Sequence, residues 1–196
     1  VRVLERGLFG RLREAEDRSG VLVYLTGFRE PAPESVALLR QRDESFDPQL
    51  LPVVAGQTVA FPNEDPIYHN VFSVSSVQAF DLGQYKAGEA PRSQVFERPG
   101  LVPVYCNIHP KMLSYVVVLE NGAFARTDAA GGFEIRAPSG RVTLNAWIPG
   151  AERVSRELEL REGERAQVEL ELHRVERTPR HKRKDGSDYP KRPYKR

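Results

Sequence analysis

An all-β chain is predicted from three observations. Val, Phe and Tyr gather in short runs, Gly and Pro (15 of each) recur between the runs, and no long amphipathic helix pattern stands out. Short, evenly spaced runs of this kind suit a β-sandwich or barrel. In order, "ERGLFGRLREAEDRSG" near the start is compatible with a strand and turn or with a short helix, and "GVLVYLTG" (20–27) is an apolar run closed by Gly. "ESVALLRQRDE" (34–44) fits a short helix or a strand equally. "LLPVVAGQTVAFPN" (50–63) reads as two strands joined at Ala55-Gly56-Gln57, and "HNVFSVS" (69–75) alternates apolar and polar residues. "LVPVYC" (101–106) and "LSYVVVLE" (113–120) are two further β-rich runs.

A second β unit is expected from Asn121-Gly122 onward. "FARTDAAGGFEIRAPSGRVTLNAWIPG" (124–150) is punctuated by "DAAGG" and "PSG", both turn compositions. "SRELELREGERAQVELEL" (155–172) alternates Leu and Val with charge around "REGE", as a half-exposed antiparallel hairpin would. Beyond Leu172 apolar residues almost vanish, and disorder is expected. The resulting division is 1–19, a segment open between strand and helix; 20–120, one β domain; 121–172, a small β-sandwich; and 173–196, a basic disordered tail.

The formal net charge of +2 conceals an asymmetry. His173 to Arg196 holds ten Lys or Arg against three Asp or Glu, so the body is mildly acidic and the basic character belongs to the tail. That tail fits solubility, or docking to an acidic partner or an anionic surface. Nucleic acid is a poorer fit, because only Tyr189 and Tyr194 interleave with the cations. No apolar run approaches about eighteen residues, so a membrane-spanning helix is not expected. A single cysteine excludes an intramolecular disulfide.

The one Cys and the one Met of the chain stand in "YCNIHPKM" (105–112), with a His between them. Cys106, His109 and Met112 are spaced i, i+3, i+6. Thiolate and thioether are soft ligands and imidazole is borderline, a set that suits copper. Zinc would want further Cys or His, and calcium or magnesium would want oxygen. A trigonal His2Cys set with a weak axial Met needs one more His. Of the four His, 173 and 181 sit in or beside the basic tail and read as solvated residues. His69 begins a strand and lies 37 residues before Cys106. A sandwich can bring a strand start and a distant end loop together. A thiol enzyme would need an activated thiolate, a base and a cleft, and a His three residues away on a constrained loop fits ligation better. No His-x-His occurs, so the chain alone cannot build a trinuclear copper centre. Asp65 in "NEDP" reads as a turn residue, Tyr105 as packing and Trp147 as core of the second unit.

"HNVFS" together with "YCNIHPKM" resembles the cupredoxin, or blue copper, family. The C-x2-H-x2-M spacing, with Pro after the His, resembles the short ligand loop of amicyanin, and the likeness covers roughly residues 20–120. It implies a Greek-key β-sandwich holding one type 1 copper, with His69, Cys106 and His109 as equatorial ligands and Met112 as the axial one. It further implies that Asn70 ties the ligand loops together, that His109 lies nearest the surface, and that Ile108, Pro110 and Lys111 belong to a docking face. Where plastocyanin-like members carry Thr or Ser after the Cys, this chain has Asn107. "ARTDAAGGFEIRAPSGRVTLNAW" is similar to carboxypeptidase-regulatory-like (transthyretin-like) β-sandwich modules, which implies a fold and no chemistry. The expectation is therefore an exported, periplasmic-type single-electron carrier, not an enzyme, that serves a redox partner protein. A copper carrier or sensor, and a structural interaction module, are the alternatives.

Overall fold

The computed structural model describes residues 1–6, 11–175 and 181–189. Among these there is no α-helix, and so none long and apolar enough to cross a membrane. The chain divides into two compact units: Val1–Glu30 with Asn121–Pro179, and Pro31–Glu120 with Arg180–Arg196.

In the first unit, β1 (Arg2–Arg6), β2 (Leu12–Glu14) and β3 (Leu22–Thr26) precede the second unit's strands. After those come β14 (Phe124–Arg126), β15 (Gly140–Trp147), β16 (Val154–Leu160) and β17 (Glu171–Arg174). They make a four-stranded sheet in the order β14-β3-β15-β16 and a three-stranded sheet β17-β1-β2. The core between them includes Val3, Val21, Val23, Leu25, Leu144 and Leu172. The described part of residues 1–19 takes the strand-and-turn alternative. Two expectations are corrected here. The run 20–27 does not belong with 28–120: β3 is a central strand of this sheet, with Thr26 to Leu22 facing Thr143 to Trp147 of β15. A strand apolar on both faces needs two covered faces, but its pattern does not say which later strand lies beside it. The expected hairpin over 155–172 is not formed. Glu162-Gly163 does turn the chain, yet β17 pairs in parallel with β1, Val3 opposite Leu172. Alternation placed Leu170 and Leu172 inward, as observed, while leaving the partner strand open. Trp147 is half-buried at the end of β15 rather than deep in this core.

The second unit contains β4 (Ala37–Leu38), β5 (Arg40–Arg42), β6 (Ser45–Asp47), β7 (Leu50–Val54), β8 (Gln57–Phe61), β9 (His69–Val74), β10 (Ala79–Tyr85), β11 (Arg92–Phe96), β12 (Gly100–Cys106) and β13 (Leu113–Leu119). The 34–44 stretch is thus strand and turn. A five-stranded sheet, β10-β9-β12-β13-β7, faces a three-stranded sheet, β11-β8-β4. Gly56, at φ +97° and bonded through its N–H to the Phe96 carbonyl, carries the chain from β7 in one sheet to β8 in the other. A non-glycine residue is disfavoured at that φ. The core holds Phe61, Val71, Tyr85, Phe96, Val102, Val104 and Val116 together with Cys106 and Met112. Burial pushes the Tyr85 phenol up to about 12, so it stays protonated and donates to the Phe61 carbonyl at 2.7 Å.

Two periodicities aim the site. On β12, Val102, Val104 and Cys106 alternate inward with Leu101, Pro103 and Tyr105. On β9, His69 shares its face with Val71, and Cys106 pairs with Val71 across the ladder. The face that carries the valines into the core therefore carries both residues to one end of the sandwich.

The tail expectation over 173–196 falls partly on 176–180 and 190–196, which lie outside the described residues. Of the rest, His173 and Arg174 end the strand Glu171–Arg174, and 181–189 belongs to the second unit.

Candidate metal centre

Strand β12 ends at Cys106 and β13 begins at Leu113, and the loop between them is closed at its neck. The Cys106 N–H donates to the Met112 carbonyl at 3.2 Å, and the Met112 N–H donates to the His109 carbonyl at 3.1 Å. Pro110 restricts the exposed crown of this loop. Cys106 and Met112 are fully buried in the core, and His109 is half-exposed.

Among the described residues, His69, Cys106 and His109 form the one group of His, Cys or acidic side chains able to hold a metal ion together. His69 Nδ1 and His109 Nδ1 are 2.9 Å apart, and Cys106 Sγ lies 3.9 Å from the first and 3.6 Å from the second. These separations leave a common point at roughly 2.0–2.3 Å from each atom, the bond length of a first-row ion to imidazole and thiolate. Two nitrogens and one soft sulfur, with a buried thioether in the same core, fit copper. Met112 ends the loop and is fully buried in the same core cluster as Cys106.

The surroundings prepare each donor. Burial raises the Cys106 thiol pKa, against the opposing pull of the Asn70, Ile108 and His109 backbone N–H groups at the sulfur. The same three groups would stabilise a bound thiolate. Burial, and then the neighbouring His69, lower the pKa of His109. In the metal-free protein at pH 7, Cys106 therefore keeps its proton and His109 is neutral. Metal binding should release the Cys106 proton and none from His109. Apparent affinity should then rise about tenfold per pH unit through neutrality and level off above the thiol pKa. Calorimetry in buffers of different ionisation enthalpy counts that proton, and a count of zero at pH 7 would refute the assignment.

One functional residue was missed in the sequence. Asp65 read as a turn residue, yet its Oδ2 lies 2.7 Å from His69 Nε2. A carboxylate there accepts the Nε2 proton and leaves the Nδ1 lone pair facing His109 and Cys106, the arrangement by which an outer carboxylate orients a metal-binding imidazole. Asp65 is itself held by the hairpin of β5 and β6. Asp43 and Glu44, both at φ 53°, form its two-residue turn, and their N–H groups donate to the Asp65 carboxylate at 2.7 and 3.0 Å. Burial opposes ionisation of Asp65, but His69 and these two N–H groups outweigh it and hold the carboxyl below its usual range. The i, i+4 spacing to His69 was the available signal; nothing in the sequence indicated that a distant hairpin would fix the carboxylate. Asp65→Ala should weaken copper binding about 10–100-fold, with Asp65→Asn intermediate because its amide oxygen still accepts from Nε2. Competition against a chelator of known affinity measures both.

Asn70 and Asn107 do not meet as a pair tying the loops. Asn70 Nδ2 donates to Asp81 Oδ1 at 2.7 Å and to the Gly83 carbonyl at 2.9 Å, while Asn107 Oδ1 accepts from the Lys184 N–H at 2.9 Å. Tyr105 packs at 5.6 Å on Phe72 and at 4.5 Å on the ring of His181. His181 is thus half-buried against the ligand loop instead of solvated, whereas His173 is exposed beside Glu171.

No family model and no curated protein matches the chain. Solved structures do. A Cu-containing nitrite reductase (NirK) from Thermus scotoductus SA-01 is 27% identical with a TM-score of 0.41, over 44% of this chain and 23% of that one. The chain thus spans under a quarter of that reductase. A purple cupredoxin from Nitrosopumilus maritimus is 24% identical with a TM-score of 0.38, over 42% and 99%. Amicyanin from Paracoccus versutus is 20% identical with a TM-score of 0.40, over 49% and 98%.

Proposed function

We propose that this chain is a cupredoxin-type protein that holds one type 1 copper ion and passes single electrons between redox partner proteins. The observation that carries the reading is the convergence of His69 Nδ1, His109 Nδ1 and Cys106 Sγ within 3.9 Å of one another at the end of a β-sandwich. Copper bound there supplies one-electron redox chemistry. The chain's part is to hold the donors in place in both redox states. The neck hydrogen bonds of the Cys106–Met112 loop and the Asp65 contact to His69 restrict their movement, and a donor set that does not rearrange lowers the cost of transfer.

Met112 would be the fourth residue to hold the ion, through its thioether. The half-exposed edge of His109 is the electron port, and Ile108, Pro110 and Lys111 surround it as the docking face. The cations of the C-terminal segment favour an acidic partner or an anionic surface. The chain transforms no substrate and is not an enzyme. It works outside the cytoplasm, in a periplasmic or other exported setting, where a lone thiol can serve as a copper ligand. The β unit over 121–172 is a carboxypeptidase-regulatory-like β-sandwich.

Adding Cu(II) to the metal-free protein tests the reading. One equivalent should produce an intense visible thiolate-to-copper band that bleaches on reduction and returns on oxidation. Absence of the band in folded protein with a reduced Cys106 would overturn the type 1 assignment. Loss of copper on each reduction would point to a copper carrier.

A further inference from the structure

We propose that the C-terminal segment His181–Tyr189 is a working part of the metal centre, a clamp that holds the two ligand-bearing stretches together, with Lys184 and Tyr189 as positioning residues. The proposal rests on the copper reading above.

The segment supports its own shape. The Arg183 N–H donates to the Ser187 carbonyl at 3.0 Å and the Gly186 N–H to the Arg183 carbonyl at 2.9 Å. Asp185 Oδ1 accepts from both the N–H and the hydroxyl of Ser187, at 2.9 and 2.6 Å. This turn needs no apolar core of its own, which is how so polar a stretch takes a defined conformation.

From the turn, contacts run to both halves of the site. On the Cys106 side, the Tyr189 hydroxyl donates to the Cys106 carbonyl at 2.5 Å, and the Lys184 N–H donates to Asn107 Oδ1 at 2.9 Å. The His181 ring lies on Tyr105, with its Nδ1 3.1 Å from the same Tyr189 hydroxyl, to which its Nδ1–H tautomer donates. On the His69 side, Lys184 Nζ is 2.6 Å from Asp81 Oδ2, and the other oxygen of Asp81 accepts from Asn70 Nδ2. Asn70 follows His69 directly and presents its backbone N–H to the Cys106 sulfur. Lys184 therefore touches both sides, and links Asn107 to Asn70 by way of Asp81.

Two physical consequences follow. Tyr189 fixes the peptide plane between Cys106 and Asn107, the start of the turn that brings the Ile108 and His109 N–H groups to the sulfur. Lys184 neutralises Asp81 next to Asn70. Without Lys184 the Asp81 carboxylate stands uncompensated near the metal, and nearby negative charge favours the more highly charged Cu(II).

The test uses the full chain. In the copper-loaded protein, Lys184→Met should lower the midpoint potential, with the Cu(II)/Cu(I) balance shifting about tenfold toward Cu(II), or 59 mV for one electron. Asp81→Asn combined with Lys184→Met should restore the potential toward that of the parent, a reversal that a merely structural contact would not give. Tyr189→Phe should raise the rate of copper loss to a chelator several-fold without moving the Asp81–Lys184 coupling. In the metal-free protein, the Lys184 amide should be protected from hydrogen exchange, and Asn107→Ala should remove that protection. The exchange measurement reads the clamp without copper, so failure of the copper reading and failure of the clamp are distinguishable. An unprotected Lys184 amide, or an unchanged potential in Lys184→Met, overturns the proposal.

Discussion

Replacing Cys106 with Ser should abolish the visible thiolate-to-copper band and weaken copper binding by more than the roughly 10–100-fold that loss of an outer-shell partner costs. The sulfur is the one thiolate donor of the proposed set, and a serine hydroxyl does not ionise near neutral pH to take its place. The fold should survive. Ser is close to Cys in size, and the Asn70, Ile108 and His109 N–H groups that face the sulfur can donate to a hydroxyl oxygen instead. A buried hydroxyl costs about 1–3 kcal/mol when imperfectly bonded, which a domain with this core tolerates. Circular dichroism should therefore report an unchanged β spectrum in a colourless protein. A Ser variant that stayed intensely coloured would place the chromophore elsewhere and sink the assignment.

The second large effect is on the scaffold. Phe61→Ala should destabilise the second unit by about 3–5 kcal/mol, the usual cost of emptying a buried aromatic position. Phe61 is fully buried on β8 and packs at 5.9 Å from Phe80. Its carbonyl also accepts from the Tyr85 hydroxyl and from Gln41 Nε2. A shift of β8 would therefore disturb two buried polar groups as well as a cavity wall. Denaturant titration followed by the copper band should show colour lost at a lower midpoint than in the parent. Because the first unit has its own core, its β signal should persist beyond loss of the colour. Simultaneous loss of both signals would show that the two units unfold as one.

Much of the candidate site was legible in the sequence because the chain is so poor in the relevant residues. With one Cys, one Met and four His, donor chemistry leaves few sets, and Cys106, His109 and Met112 lie within one loop. His69 was legible for a second reason: it begins a run that reads as a strand. Asp65 and Lys184 were not legible. Asp65 touches His69 directly but is held there by the distant hairpin turn at Asp43-Glu44, and Lys184 reaches the site through Asp81. Beyond the i, i+4 spacing of Asp65 to His69, no local pattern distinguishes such a carboxylate or ammonium from an ordinary surface charge.

The same distinction holds for the fold. Strand character resides in short-range pattern, since alternation and apolar runs depend only on which residues neighbour each other along the chain. The sequence by itself therefore determined an all-β protein and which residues could offer soft donors, Cys106 and Met112. Strand partnership was decided by tertiary structure alone: β3 beside β15, β17 beside β1, and β7 and β8 in opposite sheets. A β-strand offers the same backbone donors and acceptors to any neighbour, so the choice rests on which side chains fill the space between sheets, and that is settled only when the whole core is assembled.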